Sequence, residues 1–195
     1  MKKGGRNLVF EFLSIVIAVV LAMTLTEWRQ TVLNYRQAES SFENIIEEIR
    51  DNHKELLGDS ASVAQNVKDL AAWLELESDR KDTVSFSVNF QKSLMNGSAW
   101  DVAKLNESLT YLENDKVLRV SSVYESQEFY EKASGDVFDS MIEMVKIEDT
   151  NSPEYRRELI AFKFKIGLAY SGIVTYLQVS RNFLEEFSSS SDSTD

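Results

Sequence analysis

Apolar residues run almost unbroken from Leu8 to Thr26, Leu-Val-Phe-Glu-Phe-Leu-Ser-Ile-Val-Ile-Ala-Val-Val-Leu-Ala-Met-Thr-Leu-Thr, after a start carrying Lys2, Lys3 and Arg6. As a helix this stretch spans about 28 Å, close to the hydrocarbon thickness of a bilayer. A cleaved secretory signal shares the basic start and apolar run, but its apolar core is shorter and ends in a small-x-small site. The run therefore predicts a signal anchor: residues 1–6 as a cytoplasmic n-region and 7–27 as a transmembrane helix. Three basic residues precede the span, while Glu27 and Arg29 cancel just after it, so the positive-inside rule sends the remaining chain out of the cytoplasm.

After the span the pattern changes to heptads. Trp28, Tyr35, Phe42, Ile49 and Leu56 recur every seven residues, and Val32, Ile46 and His53 follow them at four-residue offsets. Gly58-Asp59-Ser60 reads as the end of one helix and the cap of a second, whose apolar face is Val63, Val67, Leu70, Ala71 and Leu74. Asp79 to Thr83 reads as a polar turn. Val84, Phe86, Val88 and Phe90 alternate with polar residues, but a lone strand has no partner, so a short helix or irregular packed segment is expected. Asn96-Gly97 is a turn signal and Ser98 a helix cap before Trp100, Ala103, Leu105, Leu109 and Leu112, with a break at Asn114-Asp115. A longer helix follows from about Lys116 to Ile147. Ser152-Pro153-Glu154 starts a last helix with clean heptads through Tyr155, Leu159, Phe162, Ile166, Ala169, Ile173, Tyr176, Ser180, Phe183 and Phe187. Its most apolar part, Ile166 to Val179, reads as too short for a second span.

These elements predict an all-α chain, with the transmembrane helix continuing into an elongated antiparallel bundle of about four helices over residues 28–187. Ser188 to Asp195 reads as a disordered Ser-rich tail. With one Pro, seven Gly and no Cys in 195 residues, the composition suits long helices held by packing rather than disulfides. Beyond residue 26 there are 18 basic against 31 acidic residues, a net charge of −13, which argues against nucleic acid as a partner.

Candidate chemistry is sparse. A single His and no Cys leave no parts for a soft-metal site or a Cys-His or Ser-His nucleophile, and no glycine-rich phosphate loop is present. Neither a cofactor nor a metal is expected. His53, on the apolar stripe, reads as a hydrogen-bonded core or boundary residue, with a pH sensor as the alternative. Glu47-Glu48 and Glu185-Glu186 point in different directions on their helices and read as solvated faces. Within the span, Glu11, Ser14, Ala18 and Ala22 fall within roughly 80° of one another at 100° per residue. That ridge is small enough for close helix approach and carries a carboxyl costly to leave in lipid, so it is the expected membrane helix contact, with Glu11 reaching the headgroups from one turn inside the cytoplasmic end, or carrying protons or ions, as the alternatives. Trp28 is the expected interfacial anchor.

Glu11-Phe-Leu-Ser-Ile-Val-Ile-Ala-Val-Val-Leu-Ala followed by Glu27-Trp28-Arg29, and Ser98-Ala-Trp100-Asp-Val-Ala103 followed by Leu109, Leu112 and Tyr124, resemble a family of bacterial single-pass inner-membrane proteins of unknown function. The resemblance implies the bacterial inner membrane, a periplasmic helical domain and no catalytic residues. The resulting expectation is a non-enzymatic structural or interaction subunit, either homo-oligomeric or joined to a partner membrane protein. The alternative is an extracytoplasmic sensor bundle, which would have to signal through a membrane partner because only about six residues lie in the cytoplasm.

Overall fold

In the computed structural model, residues 4–76, 90–150 and 152–188 are described, and every regular element among them is helical. Helix α1 spans Gly4–Glu75, α2 Ser98–Leu105, α3 Asn114–Val145 and α4 Pro153–Ser188, with a 3-10 turn at Ser108–Tyr111 between α2 and α3. The expected turn at 79–83, most of the alternating segment 84–90 and the tail beyond Ser188 lie outside the described residues.

Four walls alternate in direction. Along α1, Asn34, Glu48, Asn52 and Asp59 bond Tyr111, Ala99, Asn96 and Ser93 in turn, so the segment 90–112 runs antiparallel to it. Helix α3 turns back up: Tyr130 bonds Ser93, and Tyr124 stacks on Trp100. Helix α4 descends, with Tyr130 against Gly172, Arg119 near Glu186, His53 on Ser180 and Phe42 against Phe183. The architecture is an antiparallel helical bundle whose second wall is a short helix and an irregular strand of chain. Where α3 meets α4, a Cβ on Gly172 would stand 3.0 Å from the Tyr130 backbone, so the glycine lets the two helices come this close there.

The break expected at Gly58 does not occur, and α1 is one helix of 72 residues. Phe42, Ile49, Leu56, Val63 and Leu70 hold the sevenfold register across Gly58 and are all buried. Gly inside a helix costs about 1 kcal/mol, whereas losing the burial of Val63 and Leu70 would forfeit about 1.5–3 kcal/mol for each. Asp59 and Ser60 are not caps: Asp59 accepts the Ser93 hydroxyl at 2.6 Å, and Ser60 bonds back to the Leu57 carbonyl. The second position of the repeat also differs from expectation. Ile45, Asn52 and Asn66, three residues beyond Phe42, Ile49 and Val63, are the buried ones, while Val32, Ile46 and His53 are half-buried. Trp28 and Tyr35 are exposed, so the buried stripe begins only at Ala38.

Two other boundaries shift. Gly97, not Ser98, is the residue preceding α2, which ends at Leu105; Glu107 then takes a left-handed conformation (φ 58°) before the 3-10 turn. Leu105 is consequently exposed rather than on the core face. Asn114 starts α3 instead of ending the preceding helix. Ser152 caps α4 as expected, its Oγ accepting the Tyr155 N–H at 3.1 Å.

Among the described residues, two helices are long and apolar enough to cross a membrane. The most apolar 18 residues of α1 reach a mean hydropathy of 1.9, and none of that window is buried; in α4 the value is 1.2, with 39% buried. Length and composition thus do not exclude α4, contrary to the 14-residue reading. Burial separates the two, since Leu159, Phe162, Ile166, Ala169, Ile173 and Tyr176 of α4 fill the bundle core.

Candidate functional site

Two places concentrate features that packing alone does not account for: the exposed N-terminal arm of α1 and a polar layer across the middle of the bundle. The arm runs free until Asn34 bonds the Tyr111 hydroxyl at 2.7 Å and Tyr35 meets the Tyr111 ring edge-on. From Phe10 to Leu33 that is about 36 Å of helix. Glu11, Ser14, Ala18 and Ala22 all lie on it and are exposed, and Ser14 Oγ bonds the Glu11 carbonyl of its own helix at 2.8 Å. Trp28 is also exposed. Between Thr26 and the first bundle contact only about 10 Å of helix remains, so a bilayer around residues 7–27 would lie close beneath the bundle.

The polar layer centres on Glu48, which the adjacent-pair pattern assigned to a solvated face. It is instead 8% exposed. One carboxylate oxygen accepts the Tyr124 hydroxyl at 2.5 Å; the other accepts the Ser98 hydroxyl at 3.1 Å and the Ala99 N–H at 2.9 Å. Glu48 thereby supplies from α1 a cap for α2, satisfying the Ala99 amide in its first turn. A turn later, Asn52 accepts the Asn96 N–H at 2.9 Å and donates to its carbonyl at 2.7 Å, fixing the backbone of the second wall. Gln127 of α3 also reaches Asn96, so three walls meet there.

The fourth wall contributes Tyr176, fully buried, whose hydroxyl has no hydrogen-bond partner among the described residues. Burial raises its pKa, the Glu48 charge adds to this, and Asn52 partly offsets it. Burial likewise pushes the Tyr124 phenol far up, reinforced by its hydrogen bond to Glu48. Both phenols are therefore neutral, and of the two only Tyr124 donates, to Glu48. Trp100 stacks on Tyr124 at 5.3 Å, and Ala103, three residues later on α2, is wholly buried.

His53 is half-buried, its Nδ1 2.7 Å from Ser180 Oγ. Ser180 donates its only proton to the Tyr176 carbonyl at 2.6 Å, so Nδ1 must carry a hydrogen and donate to Oγ. Burial, and then the Arg181 charge, lower the pKa of His53. A depressed pKa means that the unfolded chain binds the proton first. Stability is then full above about pH 6.5, the ordinary value, and declines as pH falls from there through the folded value. Thermal melts of His53→Gln should lose that part of the pH dependence; an unchanged slope between pH 6.5 and 5 would contradict the assignment.

An open groove of about 580 Å³ runs between α1 and α4, lined by Ser60, Ala61 and Ala64 on one side and Tyr170, Val174 and Arg181 on the other. Among the described residues no three His, Asp or Glu side chains converge in a way that could hold a metal ion. The chain matches no family model, no curated protein and no solved structure.

Proposed function

We propose that this chain is a non-enzymatic, membrane-anchored interaction subunit, with residues 7–27 of α1 in the bilayer and the acidic bundle of residues 28–187 outside the cytoplasm. One observation carries the reading. The most apolar part of α1 is wholly unburied, yet it belongs to the same unbroken helix whose later residues form the bundle core. An apolar helix of this length left bare in water would aggregate, so a bilayer or other protein covers it. Within the bilayer, the Glu11, Ser14, Ala18 and Ala22 face is the contact with a second membrane helix, and Trp28 anchors the interface. Lys2, Lys3 and Arg6 support a cytoplasmic N-terminus, and the family resemblance supports the bacterial inner membrane. Two functions of the polar layer favour a docking body over a catalytic one: Glu48 is consumed in capping α2, and Tyr124 in bonding Glu48.

Solubilising the full chain from its native membrane and identifying what remains bound tests this directly. A stoichiometric membrane partner or further copies of the chain are expected; a lone monomer would overturn the proposal. A reporter fused after Asp195 should be active only outside the cytoplasm, and cytoplasmic activity would reverse the orientation.

The groove between α1 and α4 favours a second reading, an extracytoplasmic sensor bundle that takes a small ligand beside Arg181 and signals through a membrane partner. Genetic neighbours discriminate: a membrane-complex operon supports the subunit, a kinase or cyclase the sensor.

A further inference from the structure

The distal half of α4 carries a face at odds with the rest of this acidic chain. From Arg156 to Gln178 there are four basic residues and one acidic residue, Glu158, which is half-buried. Arg156 and Arg157 are exposed, and neither they nor Lys163 nor Lys165 enters an ion pair among the described residues. Between these cations, at i, i+4 and i+8, Ile160, Phe164 and Leu168 are 54%, 69% and 38% exposed. A basic stripe with a bare apolar ridge is a surface built for an acidic, partly apolar partner.

The chain itself offers such a surface. On α3, Glu125 to Glu143 holds six acidic residues and one basic, and Glu128, Asp136, Asp139 and Glu143 are exposed beside Ile142, which is 55% exposed. The two surfaces also match in height. Tyr130 and Gly172 are level, and α3 and α4 are antiparallel, so Phe164 lies level with Phe138 and Ile160 with Ile142.

We infer that the basic apolar face of α4 in one copy docks on the acidic face of α3 in a neighbouring copy. This rests on the reading of α1 as a membrane anchor, which holds all copies upright and in parallel so that faces at equal height meet. Pairing α4 with α4 would set Arg157 and Lys163 against their own kind. The copy's own bilayer cannot reach the stripe: Ser180 is level with His53, so Phe164 stands level with about residue 69, roughly 65 Å of rigid helix beyond Thr26. Because the two faces differ, the contact is head-to-tail and generates a ring or a file of copies rather than a two-fold dimer.

The absence of Cys makes crosslinking a clean test. Two differently tagged full-length copies, one Phe164→Cys and one Asp139→Cys, are coexpressed and treated in native membranes with a short bis-maleimide. Crosslinks between the two tags are expected, with no 164-to-164 product. Arg157→Glu with Lys163→Glu in the first copy should cut the yield about tenfold or more, and Asp136→Lys with Glu143→Lys in the second should restore it. A 164-to-164 crosslink, or a crosslink from position 164 to a different protein, would overturn the inference. If copies carrying Ala18→Cys crosslink but 164 and 139 do not, the docking is wrong while the membrane association stands. If neither pair crosslinks, self-association is wrong at both levels.

Discussion

Glu48→Ala should destabilise the bundle by roughly 3 to 5 kcal/mol, because it strands the Tyr124 hydroxyl, the Ser98 hydroxyl and the Ala99 N–H, at about 1–3 kcal/mol for each buried group left unpaired. The loss is not confined to one contact. Glu48 ties α1 to α2 and α3 together, so the second wall loses its cap and α3 its anchor in the same step. Glu48→Gln separates charge from shape: its oxygen still accepts one donor, but its amide nitrogen turns a donor toward donors. It should therefore fall between wild type and Ala. Chemical denaturation of residues 28–195 measures both. A cost below about 1 kcal/mol for Ala would mean that water replaces the carboxylate and that the layer is not a structural joint. Glu47→Ala, on the exposed side of the same helix, should change little.

Glu48 also marks where the sequence becomes hard to read. Heptad spacing identifies Phe42, Ile49 and Leu56, and the long run of α4 from Leu159 to Phe183, because there the core is apolar and periodicity reports polarity. Glu48, Asn52 and Asn66 occupy core positions with polar side chains, so the true second stripe at Ile45, Asn52 and Asn66 looks solvated, and the half-buried Ile46 and His53 take its place. Partners of Glu48 and Asn52 lie 44 to 76 residues away along the chain. No local pattern announces bonds at that separation. One hint was available: Glu48 falls between Ile45 and Ile49, within the arc the core stripe occupies.

Gly58-Asp59-Ser60 fails for a related reason. Locally it carries good stop and cap residues, yet Leu56 and Val63 keep the sevenfold spacing across it, and burial outweighs the glycine penalty. Length and register of the tertiary stripe were legible if followed through the glycine. The irregular second wall was not, since residues 90–97 take their course from Asp59, Asn52 and Tyr130 rather than from any periodicity of their own. At Ser152-Pro153, by contrast, the cap and the helix it starts are local to each other, and the sequence reading holds.

On the arm, the sequence defines a face and the structure leaves that face bare. Ala18→Ile with Ala22→Ile should abolish association through the membrane helix. Close approach of two membrane helices depends on small side chains at the crossing, and each Ile adds three carbons there, where no hydrophobic force compensates for lost contact. Glu11→Gln should weaken association only modestly, since the amide can still hydrogen-bond. The control is Val19→Ile with Val20→Ile, which adds bulk off the ridge. Measuring the assembled mass of the chain solubilised from its native membrane, for wild type, the Ala pair and the Val pair, tests the central claim that this protein acts by joining others through its membrane helix. The account predicts the same assembly in wild type and in the Val pair, and a smaller mass in the Ala pair, where only contacts outside the membrane remain. Identical masses in all three would contradict it.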